Sequence, residues 1–344
     1  MANQIKTTEK KRSGFSIGQY MFIFIFLALF IVYYVVSTSL TWTGITNILR
    51  HSAVIGVISF GMGMIIITGD IDLSVGSILG CVASFACWVF NITDNVLLTV
   101  LFCLALGTVL GFLNGMMIGK FKLPAFIATL ATQLIYRSVA QYFCNGLPNE
   151  IKGVAGNTFK MIQGPNRDLM YNFGNGKLLG LPTCGVIFLL IAVVLIYIST
   201  STKYGKRLFA IGSNVKAAHM AGINVGWNRV SVFTITGLLC GIGAVMWLCM
   251  QGNVDPSTTG ASYEMYAIAA VVLGNISMSG GKGKFLGIIF GTLSYTIIDK
   301  IIAAVKVDSL INNAIKGMIL IVAIIIQTCG PQIKNYFASK KKAS

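Results

Sequence analysis

The stretch Gly61–Phe90, "GMGMIIITGDIDLSVGSILGCVASFACWVF", places two carboxylates, Asp70 and Asp72, between two long apolar runs. About 20 apolar residues suffice to cross a hydrocarbon layer ~30 Å thick. The break at Thr68–Ser77 is therefore either a polar site held inside a membrane or the point where the chain turns between two spans. Asp72 suits the second reading, because its carboxylate can accept backbone N–H groups around Ser74 and cap the helix that follows. An exposed carboxylate there also suits the positive helix end.

The same alternation of apolar run and polar break covers the whole chain. Of its 344 residues, 55% are hydrophobic and 10% are charged, with a mean hydropathy of +0.79. Soluble domains carry about 25% charged residues, so lipid is the main solvent. Apolar runs fall at about 19–40, 46–68, 73–91, 96–118, 124–144, 183–200, 229–250, 264–279, 285–303 and 310–329. These predict an all-α polytopic fold of about ten transmembrane helices. They make a single membrane domain over 19–330, between basic tails at 1–18 and 331–344. The eighth run is short and ends in glycines, which predicts a tilted or broken helix. The first is longer than a signal-peptide core and no A-x-A site follows, so it reads as a retained span.

The net charge of +16 does not point to nucleic acid, because the basic residues punctuate the ends of apolar runs. With both termini inside, 17 of the 26 Lys and Arg fall in inner segments and six in outer ones. That is the positive-inside pattern, and it makes both termini cytoplasmic. Eight cysteines lie in or beside apolar runs without a C-x-x-C pair, so they read as buried fillers with no disulfide or metal framework. No P-loop or H-E-x-x-H sequence occurs. The one G-x-S-x-G match, Gly14–Gly18, lies in the basic tail with no strand ahead of it. The sequence offers no catalytic residue, metal ligand or bound cofactor, so energy for transport comes from a partner or an ion gradient.

Two loops exceed what a connection needs. The outer one, 145–182, is rich in Gly, Asn and Pro and reads as turns with a short helix. The inner one, 201–228, contains "YGKRLFAIGSNVKAAHMAGINV". Ser213 or Asn214 is a suitable N-cap there, and Gly222 a suitable C′ residue. Between them Ala217, Ala218 and Ala221 form a small face and Met220 a projecting knob. A helix this short gains little stability alone. It is either a plain linker or a piece that docks into another protein's groove.

The segment "KAAHMAGINV" resembles the loop by which permease subunits of ABC importers contact their ATPases. "TGDIDLSVGS", "LPAFIATLATQLIYRSVA", "YGKRLFAIGSN" and "YEMYAIAAVVLGNISMSGGKGKFLG" are similar, in order, to the ribose-type branch of sugar permeases, over roughly Thr43 to Leu320. The resemblance implies a subunit of the bacterial plasma membrane that pairs with a second permease, identical or sister. It implies cytoplasmic ATPases that use ATP and Mg, and an extracytoplasmic sugar-binding protein. It assigns ATPase coupling to Gly205, Asn214, Lys216, Ala217, Ala218, Met220 and Gly222. Three positions depart from the family pattern. Lys216 stands where Glu is usual, opposing the helix dipole; Asp70 stands where many relatives have Gly; Asn275 replaces a Gly.

Gly274–Gly281, "GNISMSGG", matches Gly69–Gly76 as G-x-I-x-x-S-x-G. Asp70, Asp72, Ser74, Asn275, Ser277 and Ser279 are thus either structural turns or paired turns lining an inner gate or exit. Arg137, within the fifth run, and Glu264, opening the eighth, form a candidate intramembrane ion pair. Arg50 reads as snorkelling to the outer interface, and His51 and His219 as packed.

The best-fitting function is the permease subunit of an ATP-driven sugar importer working by alternating access. The same architecture carrying a nucleoside or a sugar-like signalling molecule is a variant. An ion-driven secondary transporter would need carboxylates at the bilayer midplane, whereas Asp70, Asp72, Glu264 and Asp299 fall near run ends. A channel or scaffold leaves the inner loop unexplained.

Overall fold

The computed structural model describes residues 20–37 and 41–306, together with 311, 314–319, 321, 322 and 325. The basic tails and half of the tenth run lie outside the described residues. Five helices open the chain: α1 (Met21–Val36), α2 (Trp42–Ile67), α3 (Val75–Thr93), α4 (Val96–Gly119) and α5 (Ala125–Asn145). The outer loop follows with α6 (Asn149–Lys152), β1 (Phe159–Lys160), α7 (Pro165–Asn175), β2 (Lys177–Leu178) and β3 (Leu181–Pro182). Then come α8 (Thr183–Ser201), α9 (Lys203–Ser213), α10 (Val215–Met220), α11 (Val225–Gln251), β4 (Asn253–Val254), α12 (Tyr263–Leu273) and α13 (Leu286–Ala304).

Among the described residues, six helices are long and apolar enough to cross a membrane: α2, α3, α4, α8, α11 and α13. Helix α5 is also long enough at 21 residues, but its Gln133, Arg137 and Gln141 lower its apolarity. The shorter apolar helices α1 and α12 accompany them. The fold is all-α and polytopic, and its two small antiparallel ladders (β1 with β4, β2 with β3) lie at the outer end.

Helices α2, α3, α4 and α11 make the centre. On α4, Gly107, Gly111, Gly115 and Gly119 recur every fourth residue and meet Gly226, Val230, Gly237 and Gly241 of α11. Small residues on one face let two backbones touch, the route by which helices associate where lipid removes the hydrophobic drive. A Cβ on Gly111 would stand 2.7 Å from the Cα of Gly237, closer than any side chain allows.

The eighth run, expected over 264–279, is helical only to Leu273 and breaks at Gly274, as its glycine-rich end predicts; the unwound stretch ahead of it was not signalled by the sequence. From Asp255 to Ser262 the chain runs in turns rather than helix and descends along α3 until Gly260 lies against Gly76. Only then does α12 begin. Its 11 residues rise about 16 Å, half the hydrocarbon thickness. Non-helical backbone at this depth is tolerated where protein buries it. Here α3 does so through glycines: a Cβ on Gly80 would meet the Thr259 carbonyl oxygen at 2.6 Å.

Candidate functional site

The inner loop folds as two helices where the sequence predicts one. Thr202 caps α9, its hydroxyl accepting the Gly205 N–H at 3.2 Å. Asn214 then ends α9 and caps α10, accepting the Ala217 N–H at 3.0 Å. Gly222 takes the left-handed conformation, φ 78°, that stops the helix. Of the small face, Ala217 and Ala221 are exposed but Ala218 is buried, at 4%. Lys216, His219 and Met220 point outward, Met220 at 82% exposure. The outward face thus carries Met220, with Val215 less exposed, beside Lys216 and a His219 that is exposed rather than packed, and Ala218 belongs to the chain's own packing.

Directly behind α10, the two similar polar turns meet each other. Gly281 N–H donates to the Ile67 carbonyl at 2.9 Å, and a Cβ on Gly280 would stand 3.2 Å from Gly69 Cα. Gly212, in the last turn of α9 and three residues before α10, is wedged between them: any Cβ there would overlap the Ile67 carbonyl oxygen and lie 2.5 Å from Gly281 N. Asn275 has φ 62°, a left-handed conformation that Gly takes freely and Asn tolerates, which accounts for Asn at that departure from the family pattern. In the same turn Ser277 accepts the Gly280 N–H on its carbonyl and the Ser279 N–H on its hydroxyl.

Asp70 closes the assembly from the other side. Its carboxylate lies 2.8 Å from Nε of Arg229, four residues into α11. Burial pushes the carboxyl up against the downward pull of Arg229. The pair ties the turn after α2 to the helix that continues from α10. Removing either partner leaves a largely buried charge alone, at a cost of roughly 1–3 kcal/mol or more. Accordingly, Asp70→Arg or Arg229→Asp should each lower the thermal stability and activity of the assembled transporter, and the double exchange should recover a substantial part of both. No recovery in a melting and uptake comparison would remove the pair from the coupling path. Between α10, the end of α4 and the start of α11 opens a cleft of about 950 Å³ whose charged rim is Lys120, Lys122, Lys216 and Arg229.

Asp72 is buried, at 1%, not exposed as its place beside a helix end predicts. Its Oδ1 accepts from the N–H of Ser74 at 2.8 Å and from the Ser74 hydroxyl at 2.6 Å. The network continues inward: Asn114 of α4 donates to the Ser74 hydroxyl at 2.7 Å, and Tyr136 of α5 donates to Asn114 at 3.0 Å. Thr129 accepts the Leu73 N–H at 3.1 Å. One carboxylate thus orders the start of α3 and locks it to α4 and α5.

Arg137 and Glu264 share a neighbourhood but form no ion pair. Arg137 donates instead to the carbonyls of Pro256 and Thr259, the first at 3.1 Å, because the unwound 255–262 segment brings bare carbonyls to it first. Glu264 accepts from Gln133 at 3.3 Å. Arg50 does not reach for solvent; it donates to Asn175 of α7, anchoring the outer loop. The seven cysteines among the described residues are all buried and free.

Sequence reading missed Arg229, Asn114, Tyr136 and Gly212 as members of these assemblies. Arg229 alone carried a signal, as a cation just inside an apolar run; the others are distinguished only by contacts from distant helices.

The family model described as "Branched-chain amino acid transport system / permease component" matches residues 44–326. The chain is 36% identical to the ribose import permease protein RbsC of Bacillus subtilis (strain 168), over 93% of its length and 96% of the relative's. It is 33% identical to the protein of that name in Escherichia coli (strain K12), over 87% and 91%. Identity to the fructose import permease protein FruF of Bifidobacterium longum (strain NCC 2705) is 32%, over 86% and 80%. No solved structure matches the chain. The chain belongs to the branched-chain amino acid transport system / permease component family, as a multi-pass, ribose-type ABC importer permease of the bacterial inner membrane. It is a transport component rather than an enzyme.

Proposed function

We propose that this permease carries a monosaccharide inward, with its α9–α10 loop receiving force from a cytoplasmic ATPase and a second permease subunit completing the path. The cargo reading takes support from relatives named for ribose, xylose and fructose. The observation that carries the mechanism is the contact of Gly212 with both inner turns, three residues ahead of the exposed α10 face. A displacement of α10 moves Gly212 against Ile67 and Gly281, and moves Arg229 against Asp70. ATP and Mg are used by the ATPase, which docks Met220 and its neighbours in a groove. An element shared by docking surface and inner turns converts differential affinity for two ATPase states into two positions of the turns. An extracytoplasmic binding protein delivers the sugar.

The test is co-purification of the detergent-solubilised chain with candidate ATPases, followed by ATP-dependent uptake of ribose, xylose and fructose into proteoliposomes that also receive the binding protein. ATPase capture with uptake of one of the three is the expected result. Capture of no ATPase, with solute movement on an ion gradient alone, overturns the reading.

A further inference from the structure

The outer end of α5 borders an open depression of about 490 Å³, well apart from the α10 surface, and every side chain lining it is polar. This is unusual in a chain 55% hydrophobic. Ser138, Gln141 and Asn145 come from one face of α5, with Tyr142 beside them at 84% exposure. Asn157 and Asp255 face them from the outer loop and from the segment after β4. The pairing of β1 with β4, Phe159 opposite Val254, holds those last two strands together. Arg137, adjacent to Ser138 and one turn below Gln141, fixes the floor, the segment that carries Asp255 and Ser257, by donating to the carbonyls of Pro256 and Thr259. The geometry is built, and the built parts lie outside the depression.

Apart from Thr158 and Asp255, which are half-buried, its lining side chains are exposed, so their polar groups face the depression rather than the protein. Asp255 Oδ1 takes the N–H and hydroxyl of Ser257 at 2.7 and 2.6 Å. Partial burial raises its carboxyl, but the bonds from Ser257 and Thr258 outweigh that and hold it below the ordinary carboxylate range. It is ionised at neutral pH and an acceptor only. The side chains of Ser138, Gln141, Tyr142, Asn145 and Asn157 make no hydrogen bond to another described residue. No Lys or Arg lines the depression, so neither an anion nor the carboxylate of an amino acid finds a cation there.

We infer that this depression is an outer subsite for a neutral polyhydroxylated ring, the first place the cargo rests on the permease. Hydroxyls donate to Asp255 and to the amide oxygens of Gln141 and Asn145, and accept from the N–H groups of those two amides, with Asn157 at the rim. Tyr142 offers an apolar ring face with a polar tip, suited to the C–H face of a sugar. The volume lies within the range of small-ligand sites, about 300–1,000 Å³. Arg137 acts as a positioning residue for the floor and touches no cargo. The inference rests on the sugar-importer reading and adds to it a binding site on this chain.

The burial of the native cysteines among the described residues makes thiol labelling a direct test. Asn157→Cys in the full chain, in outward-facing membranes, is labelled with a membrane-impermeant maleimide with and without ribose, xylose or fructose. Leu179→Cys, on the outer β2–β3 turn and 97% exposed, reports non-specific effects. With sugar at about ten times its dissociation constant, labelling at 157 should slow about tenfold by mass action and labelling at 179 should not change. Adding Asp255→Asn should abolish the protection. Equal labelling at 157 with every sugar overturns the inference, as does protection that survives Asp255→Asn. If an ATPase co-purifies and sugar is taken up while labelling is unprotected, the subsite falls and the importer stands. If no ATPase is captured, the importer reading falls first.

Discussion

Met220→Asp is expected to strip the ATPase from the solubilised permease while leaving the permease itself folded. Met220 is the most exposed apolar side chain of α10, at 82% against 42% for Val215, and stands with Lys216 and His219 on the outward surface. Anchors of this kind that fill a partner's pocket cost 2 kcal/mol or more when lost, about 30-fold in affinity. The substitution adds a charge that would have to be desolvated in the groove, so the loss should lie at or above that figure. Thermal unfolding of the isolated chain should not move. Ala218→Glu behaves differently, because Ala218 is 4% exposed and a carboxylate there must enter the chain's own packing. It should lower the melting temperature first and lose the ATPase as a consequence. Binding of Met220→Asp at the parental level would show that α10 is not the docking element.

Gly237→Val should prevent the membrane domain from assembling. Gly237 lies where α4 and α11 touch, its missing Cβ overlapping the Gly107 carbonyl oxygen and 2.6 Å from Gly111 Cα. The opposing atoms are backbone, so no rotamer change relieves the clash, and α11 would have to move away from its whole glycine-faced partner. Overpacking in a tight core costs about 1–3 kcal/mol where side chains can adjust; here the cost should exceed that range. The measurement is the yield of monodisperse protein on size exclusion and its melting temperature. Gly164→Ala is the control, since nothing lies within 4 Å of a Cβ there. A well-behaved Gly237→Val protein with unchanged melting would show that the two helices do not need backbone contact.

Sequence reading located the spans to within a few residues because apolar length is a local property. Runs at 183–200 and 285–303 became helices at Thr183–Ser201 and Leu286–Ala304. The cap at Asn214 and the stop at Gly222 were equally legible, since both depend on one residue's chemistry. What escaped was everything set by a distant partner. The fourfold glycine spacing on α4 is plain in the sequence, but the facing positions of α11 are glycine only at Gly226, Gly237 and Gly241, with Val230 and Phe233 between, so the match does not show. Arg137 was expected to find the nearest carboxylate, yet unwound carbonyls reached it first. Asp72 was expected in water, but the start of α3 carries it inward to Ser74 and Asn114. Helix α9 was absent from the expectation because an 11-residue amphipathic stretch in a basic loop looks no different from a linker until α8 and α10 pack on it.

The short helix α12 also bears on how the protein is made. At 11 residues it is about half the length that lets a segment enter a bilayer by its own hydrophobicity, and the turns ahead of it expose backbone that lipid cannot satisfy. Its place in the membrane therefore depends on the helices that surround it, α2 and α3 made before it and α13 made after it. A chain cut after Leu273, before α13, is expected to leave this segment open to protease, and the full chain to protect it.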